Sequence, residues 1–125
     1  MIEKIISLSV GGIAGTLSRY FLSTYIYRIL GSAFPFGTMV VNIIGCLVIG
    51  LLLSLSETKF MLGPSEKLML MVGFCGAFTT FSSFILETDA LVKNGQYLFA
   101  TLNILLSLAL CYFAYRIGVK IGEIV

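Results

Sequence analysis

Histidine and tryptophan are missing from the 125-residue chain, only 11% of its residues are charged, and it holds just two prolines. Without histidine the commonest general base is gone, and no Ser/His/Asp or Cys/His nucleophilic arrangement can be assembled. An enzyme is not expected. The three cysteines, Cys46, Cys75 and Cys111, stand singly in apolar stretches with no Cys-x-x-Cys pair. That excludes a thiolate zinc centre and suggests small packing residues. Eight Lys and Arg against six Asp and Glu leave a net charge of +2, scattered along the chain. No clustered basic patch is present to suggest a nucleic-acid partner.

What the chain has in excess is apolar surface: 58% of its residues are hydrophobic and the mean hydropathy is +1.05. Too few polar groups remain to cover a soluble surface, so the lipid bilayer is the expected solvent. Crossing the hydrocarbon layer takes roughly 20 apolar residues, and four windows reach that length, about 4–29, 37–56, 67–91 and 96–119. The first lacks an early small-residue cleavage pattern and is followed by further spans, so it is read as a retained helix rather than a signal peptide. Turn chemistry separates the windows: Gly31 to Pro35, Glu57 to Glu66 with Gly63-Pro64, and Lys93-Asn94-Gly95. Such short connections predict one integral membrane domain over residues 1–125, all-α, with both termini on one side. Lys4, Lys59, Lys67, Arg116 and Lys120 fall on the side of the termini, against Arg28 and Lys93 opposite. This bias leans toward cytoplasmic termini but is slight enough to allow insertion in either orientation.

The third window crowds Gly73, Gly76, Thr79, Thr80, Ser82 and Ser83 into its centre, which predicts a helical break near residues 75–80. Irregular main chain at membrane depth survives only where protein or water covers it, and its free carbonyls could bind a cation. Arg19, a guanidinium inside the first helix, is expected to face inward or line a vestibule rather than meet lipid. Asn42 can donate its amide to an anion or hold two helices together. Phe81 and Phe84, three residues apart, can offer positive ring edges to an anion or simply pack. In the last window Asn103, Ser107 and Cys111 recur every four residues, a polar stripe that can line a path or bind a helix.

Three separated motifs resemble the Fluc (CrcB) fluoride channels. They are Gly11-Gly12-x-x-Gly15-x-x-x-Arg19-Tyr20, Gly37-Thr38-x-x-Val41-Asn42-x-x-Gly45, and Gly73-Phe74-Cys75-Gly76-x-x-Thr79-Thr80-Phe81-Ser82-x-Phe84. The third is the most specific, and the similarity covers nearly the whole chain. The resemblance implies an antiparallel homodimer of dual topology in the bacterial plasma (inner) membrane, with two pores at the dimer interface. It implies passive, selective passage of fluoride out of the cytoplasm, which relieves fluoride toxicity. Asn42 would donate to fluoride, Phe81 and Phe84 would turn their edges to it, and Thr80, Ser82, Ser83, Asn103 and Ser107 would add hydroxyl and amide groups. Arg19 would lie in the vestibule. A structural Na⁺ at the dimer centre would be held by the main-chain carbonyls of Gly76 and Thr79. Cys111 stands where a hydroxyl is expected, Ala77 where a second glycine is frequent, and Ser83 where threonine is common.

Fluoride is small and strongly hydrated, so a pore must replace its water shell with several weak donors without trapping it on a fixed charge. A small four-helix multidrug/proton antiporter is the alternative, but it needs an acidic residue deep in a span. Glu87 and Asp89 lie near the end of the third window instead. A structural membrane subunit assembling through small-residue faces is a further rival.

Overall fold

Apolar runs separated only by short turns leave the main chain one way to satisfy its hydrogen bonds in hydrocarbon. In the computed structural model, which describes residues 1–58 and 62–125, all regular structure is accordingly helical. Helix α1 covers Ile2–Leu30 and α2 Phe36–Thr58. The third crossing is composite: α3 (Pro64–Lys67) continues into π-helical Leu68–Cys75, then α4 (Gly76–Phe78) and α5 (Phe81–Lys93). Helix α6, Tyr97–Ile124, completes the chain. Ile2–Leu30, Phe36–Thr58, Pro64–Lys93 and Tyr97–Ile124 are each long and apolar enough to cross a membrane. The chain is thus a multi-pass membrane protein, its last helix running further than the expected limit at residue 119. Lys59, counted in the charge comparison, lies outside the described residues.

The turns follow from residue chemistry. Gly31 and Gly95 have φ of 77° and 73°, the left-handed region where a Cβ is costly, and they close α1 and follow α5. Pro64 starts α3, where its missing N–H costs nothing. Ser65 Oγ donates to Glu3 Oε1 at 3.1 Å, which brings the start of the third crossing beside the N-terminus. At the opposite end the rings of Phe34 and Phe99 meet edge to face, centroids 5.8 Å apart. Both termini therefore sit at one end of the bundle.

Helices in lipid gain little from hiding apolar groups, so their association depends on close contact between small residues. A Cβ on Gly118 of α6 would strike the Leu47 carbonyl of α2, and one on Gly50 of α2 the Tyr115 carbonyl of α6. Gly11 and Gly15, one turn apart on α1, press on the main chain of Met69 and Phe74 in the third crossing. Large apolar side chains such as Phe21, Leu105 and Phe113 point outward, 60% or more exposed, as a lipid-facing surface allows. Gly118→Ala should lower stability by about 1–3 kcal/mol through overpacking, measured as thermal unfolding in detergent. Gly12→Ala, at a site with no atom within 4 Å, should leave the unfolding temperature unchanged or raised; equal losses in both would refute the close-contact account.

Candidate functional site

Helical geometry lapses after Phe78. Thr79 (φ −82°, ψ 157°) and Thr80 (φ −150°, ψ 115°) are both extended, and the helix resumes at Phe81. Thr80 caps the new helix, its Oγ1 accepting from the Ser83 N–H at 3.2 Å. Polar main chain at this depth needs partners, and three come from side chains. Asn42 of α2 pairs with Thr80 as a neighbouring strand would: its Nδ2 donates to the Thr80 carbonyl at 3.0 Å, and its Oδ1 accepts from the Thr80 N–H at 2.8 Å. Arg19 of α1 donates from Nε to the Ala77 carbonyl at 3.0 Å. Thr79 returns its N–H and hydroxyl to the Cys75 carbonyl at 3.0 and 2.8 Å. Gly45 leaves the space that the Thr79 methyl fills. Among the described residues, no turn or side-chain hydrogen bond uses the carbonyls of Gly76 and Thr79.

Beside these residues lies a cleft of about 350 Å³, lined by Asn42, Gly76, Thr79, Thr80, Phe81, Phe84 and Ser107 among others. Most of the residues singled out in the sequence therefore come together. Phe84 is buried at 7% exposure and Phe81 is 70% exposed, their centroids 5.5 Å apart. Asn42 spends one of its two amide hydrogens on Thr80, which leaves the other for a ligand. Ser82 and Ser83 are outside the lining and hydrogen-bond to Thr80 Oγ1 at 3.3 and 3.0 Å. Arg19 and Asn103 are also outside it. Asn103, 1% exposed, bridges helices: its Nδ2 donates to Thr88 Oγ1 at 2.9 Å, and its Oδ1 accepts from Ser107 at 3.3 Å. Thr88 in turn donates to the Phe84 carbonyl at 2.7 Å. This chain of hydroxyl and amide groups joins α5 to α6 and ends at the cleft with Ser107.

Two features escape a reading of the sequence. Thr88, one turn beyond Phe84, could have been found from that spacing. Glu87 turns inward, where Tyr27 Oη and Thr38 Oγ1 both donate to its Oε1 at 2.9 and 2.7 Å, while its Oε2 is buried without a partner. Tyr27 and Glu87 line a second cavity of about 430 Å³ toward Asn94 and Gln96. A carboxylate in an apolar window is the signal that marks this group.

A sequence profile described as CrcB-like protein, Camphor Resistance (CrcB), matches residues 6–119. A protein of Desulforapulum autotrophicum named fluoride-specific ion channel FluC is 39% identical over 125 residues, the whole of both chains. A Magnetococcus marinus protein of the same name is 42% identical over 118 residues, 94% of this chain and 96% of the relative. One from Trichlorobacter lovleyi, again so named, is 47% identical over 105 residues, 84% of each chain.

Replacing Asn42 by Ala strands both the Thr80 N–H and its carbonyl, so stability should fall by about 1–3 kcal/mol. Thermal unfolding followed by circular dichroism in detergent measures this; an unchanged midpoint would mean that water serves Thr80 equally well.

Proposed function

The chain belongs to the CrcB family, and from that membership we propose that it is a fluoride-selective ion channel. The observation that carries the proposal is 39–42% identity, over 94–100% of this chain, to relatives named as fluoride-specific channels. The antiporter alternative gains nothing from those names. The chemistry of the cleft agrees with the proposal. A fluoride ion entering it exchanges water for the remaining Asn42 amide hydrogen and the positive edges of Phe81 and Phe84, and for the Thr80 and Ser107 hydroxyls once these turn from Ser83 and Asn103 toward the ion. None of these is a full charge. The one guanidinium nearby, Arg19, is turned to the Ala77 carbonyl, so it attracts anions toward the region without gripping one in the cleft. Passage is passive: fluoride that has accumulated in the cytoplasm leaves down its gradient across the bacterial plasma membrane.

The working unit in this proposal is an antiparallel, dual-topology homodimer with two pores, each chain contributing one membrane domain. An exposed Phe81 ring and an exposed Gly76 suit a face that a second copy covers. The extended pair Thr79–Thr80 is the break of the third helix. The Gly76 and Thr79 carbonyls, free of turn and side-chain hydrogen bonds, fit a structural Na⁺, since carbonyl oxygens are hard donors. When bound, Na⁺ supplies positive charge that neutralises the carbonyl dipoles and holds the broken segments together. Gly76 contributes no Cβ that would shield its carbonyl, and the Thr79 hydroxyl is occupied by Cys75, so its carbonyl is the group left over.

Liposomes containing only this protein should lose fluoride rapidly and chloride negligibly, recorded with ion-selective electrodes. If each aromatic edge contributes about 1 kcal/mol, Phe81→Ile or Phe84→Ile should slow fluoride efflux roughly fivefold while the dimer persists on size exclusion. No fluoride loss from folded protein would overturn the channel reading, and undiminished efflux in both variants would overturn the ring assignment. Exhaustive replacement of Na⁺ by N-methylglucamine should impair folding or abolish flux; full activity without any alkali cation would remove sodium from the account.

A further inference from the structure

The cleft that gathers Asn42, Phe84 and Ser107 is also lined by all three cysteines, Cys46 from α2, Cys75 from the π-helical segment and Cys111 from α6. All three thiols are free. Cys46 stands one turn beyond Asn42 on α2, and Cys111 one turn beyond Ser107 on α6, so each shares a helix face with a polar group of the cleft. One turn beyond both cysteines, Gly50 of α2 lies against the main chain of Tyr115 on α6, so the two thiols enter the cleft where these helices run close together. Cys75 is different, being 2% exposed. No group of three or more metal-ligating side chains occurs among the described residues, which excludes a tetrahedral zinc-type centre. Two thiols in one cleft, carried by adjacent helices, suit a soft cation that takes two ligands in line.

We propose that Cys46 and Cys111 form a binding site for a soft, linearly coordinated divalent cation, of which mercuric ion is the type, and that its occupancy blocks the cleft to ions. The binding goes beyond the channel function; only the block rests on it. As the metal binds, each thiol releases its proton to water and each sulfur forms one metal–sulfur bond, with no electron transferred. Two thiolate charges then cancel the charge of the ion. A neutral complex is what a cleft within the bilayer tolerates best, whereas a soft monovalent ion with two thiolates would leave a net negative charge there. Hard cations prefer oxygen donors and do not compete for sulfur. Block follows from position, because the bound ion sits among the groups proposed to replace the water of fluoride.

The test uses the purified full-length chain with one equivalent of mercuric chloride, desalted in the presence of a competing monothiol. Intact mass should show one mercury retained per chain, with a single thiol, Cys75, left to react with maleimide after unfolding. Cys46→Ala and Cys111→Ala should each lose the retained mercury, and Cys75→Ala should keep it. Ser at either position serves where the Ala variant does not fold on size exclusion. Retention by the Cys46/Cys111 double variant, or no retention by the natural chain, overturns the site. In liposomes, fluoride efflux of the natural chain should collapse on adding mercuric chloride and return with dithiothreitol, while the ratio of treated to untreated efflux in the double variant should stay near one. Mercury retained without loss of efflux overturns the block. A chain that conducts no fluoride before metal is added overturns the channel reading, and the mass measurement still decides the site.

Discussion

An unsatisfied amide or carbonyl in hydrocarbon costs several kcal/mol, whereas a formed hydrogen bond nets only about 1 kcal/mol. Two extended residues in the third crossing therefore place a demand on every element around them. Asn42 answers for both polar groups of Thr80. Arg19 answers for Ala77, whose carbonyl has no helical partner once Thr79 and Thr80 leave the helix. The close packing follows from the same need: Gly11 and Gly15 bring α1 against the third crossing, and Gly45 admits the Thr79 methyl from α2. Larger residues at those positions would hold Arg19 and Asn42 away from the groups they serve.

Holding helices together and presenting donors to a ligand are often treated as rival roles for a membrane asparagine, but in the proposed channel the same side chain supplies both. Asn42 is fixed by two hydrogen bonds and retains one amide hydrogen, so the donor it presents is already oriented. Ser107 is fixed differently, since its one hydrogen goes to Asn103 Oδ1 in a chain that runs on through Thr88 to the Phe84 carbonyl. That chain also fixes Phe84 through its own main chain. A donor held in place as that of Asn42 is loses little further freedom when an ion arrives, which favours exchange of water for protein groups.

The crossings were legible because length and hydropathy alone decide them, and the crowding of glycine, threonine and serine between residues 73 and 83 marked the region where the helix lapses. The stripe of Asn103 and Ser107 followed from spacing. Other features depend on partners far apart in the chain, which periodicity does not reveal. Arg19 finds its acceptor 58 residues away, on a main-chain carbonyl that has no sequence signature. Tyr27, Thr38 and Glu87 meet across separations of 11 to 60 residues. The π-helical run Leu68–Cys75 is as apolar as an ordinary helix, and nothing in Leu68-Met69-Leu70-Met71-Val72 distinguishes the two hydrogen-bonding patterns. The overrun of α6 has a local cause, since Lys120 and Glu123, 3.2 Å apart, support one more turn beyond the apolar window.

Interrupting a helix also creates two new ends of opposite polarity. The end at Phe78 presents carbonyls and partial negative charge, and the start at Phe81 presents N–H groups and partial positive charge. Arg19 and Thr79 consume the carbonyls of Ala77 and Cys75 at the first end, leaving those of Gly76, Phe78 and Thr79, while Thr80 consumes only the Ser83 N–H at the second. In the proposed channel a cation and an anion would thus be served within a few residues of one another without a charged side chain in the cleft. Fixed charges of either sign would bind one ion tightly and repel the other. Backbone ends carry about half a charge each, enough to favour an ion's presence while leaving it free to go.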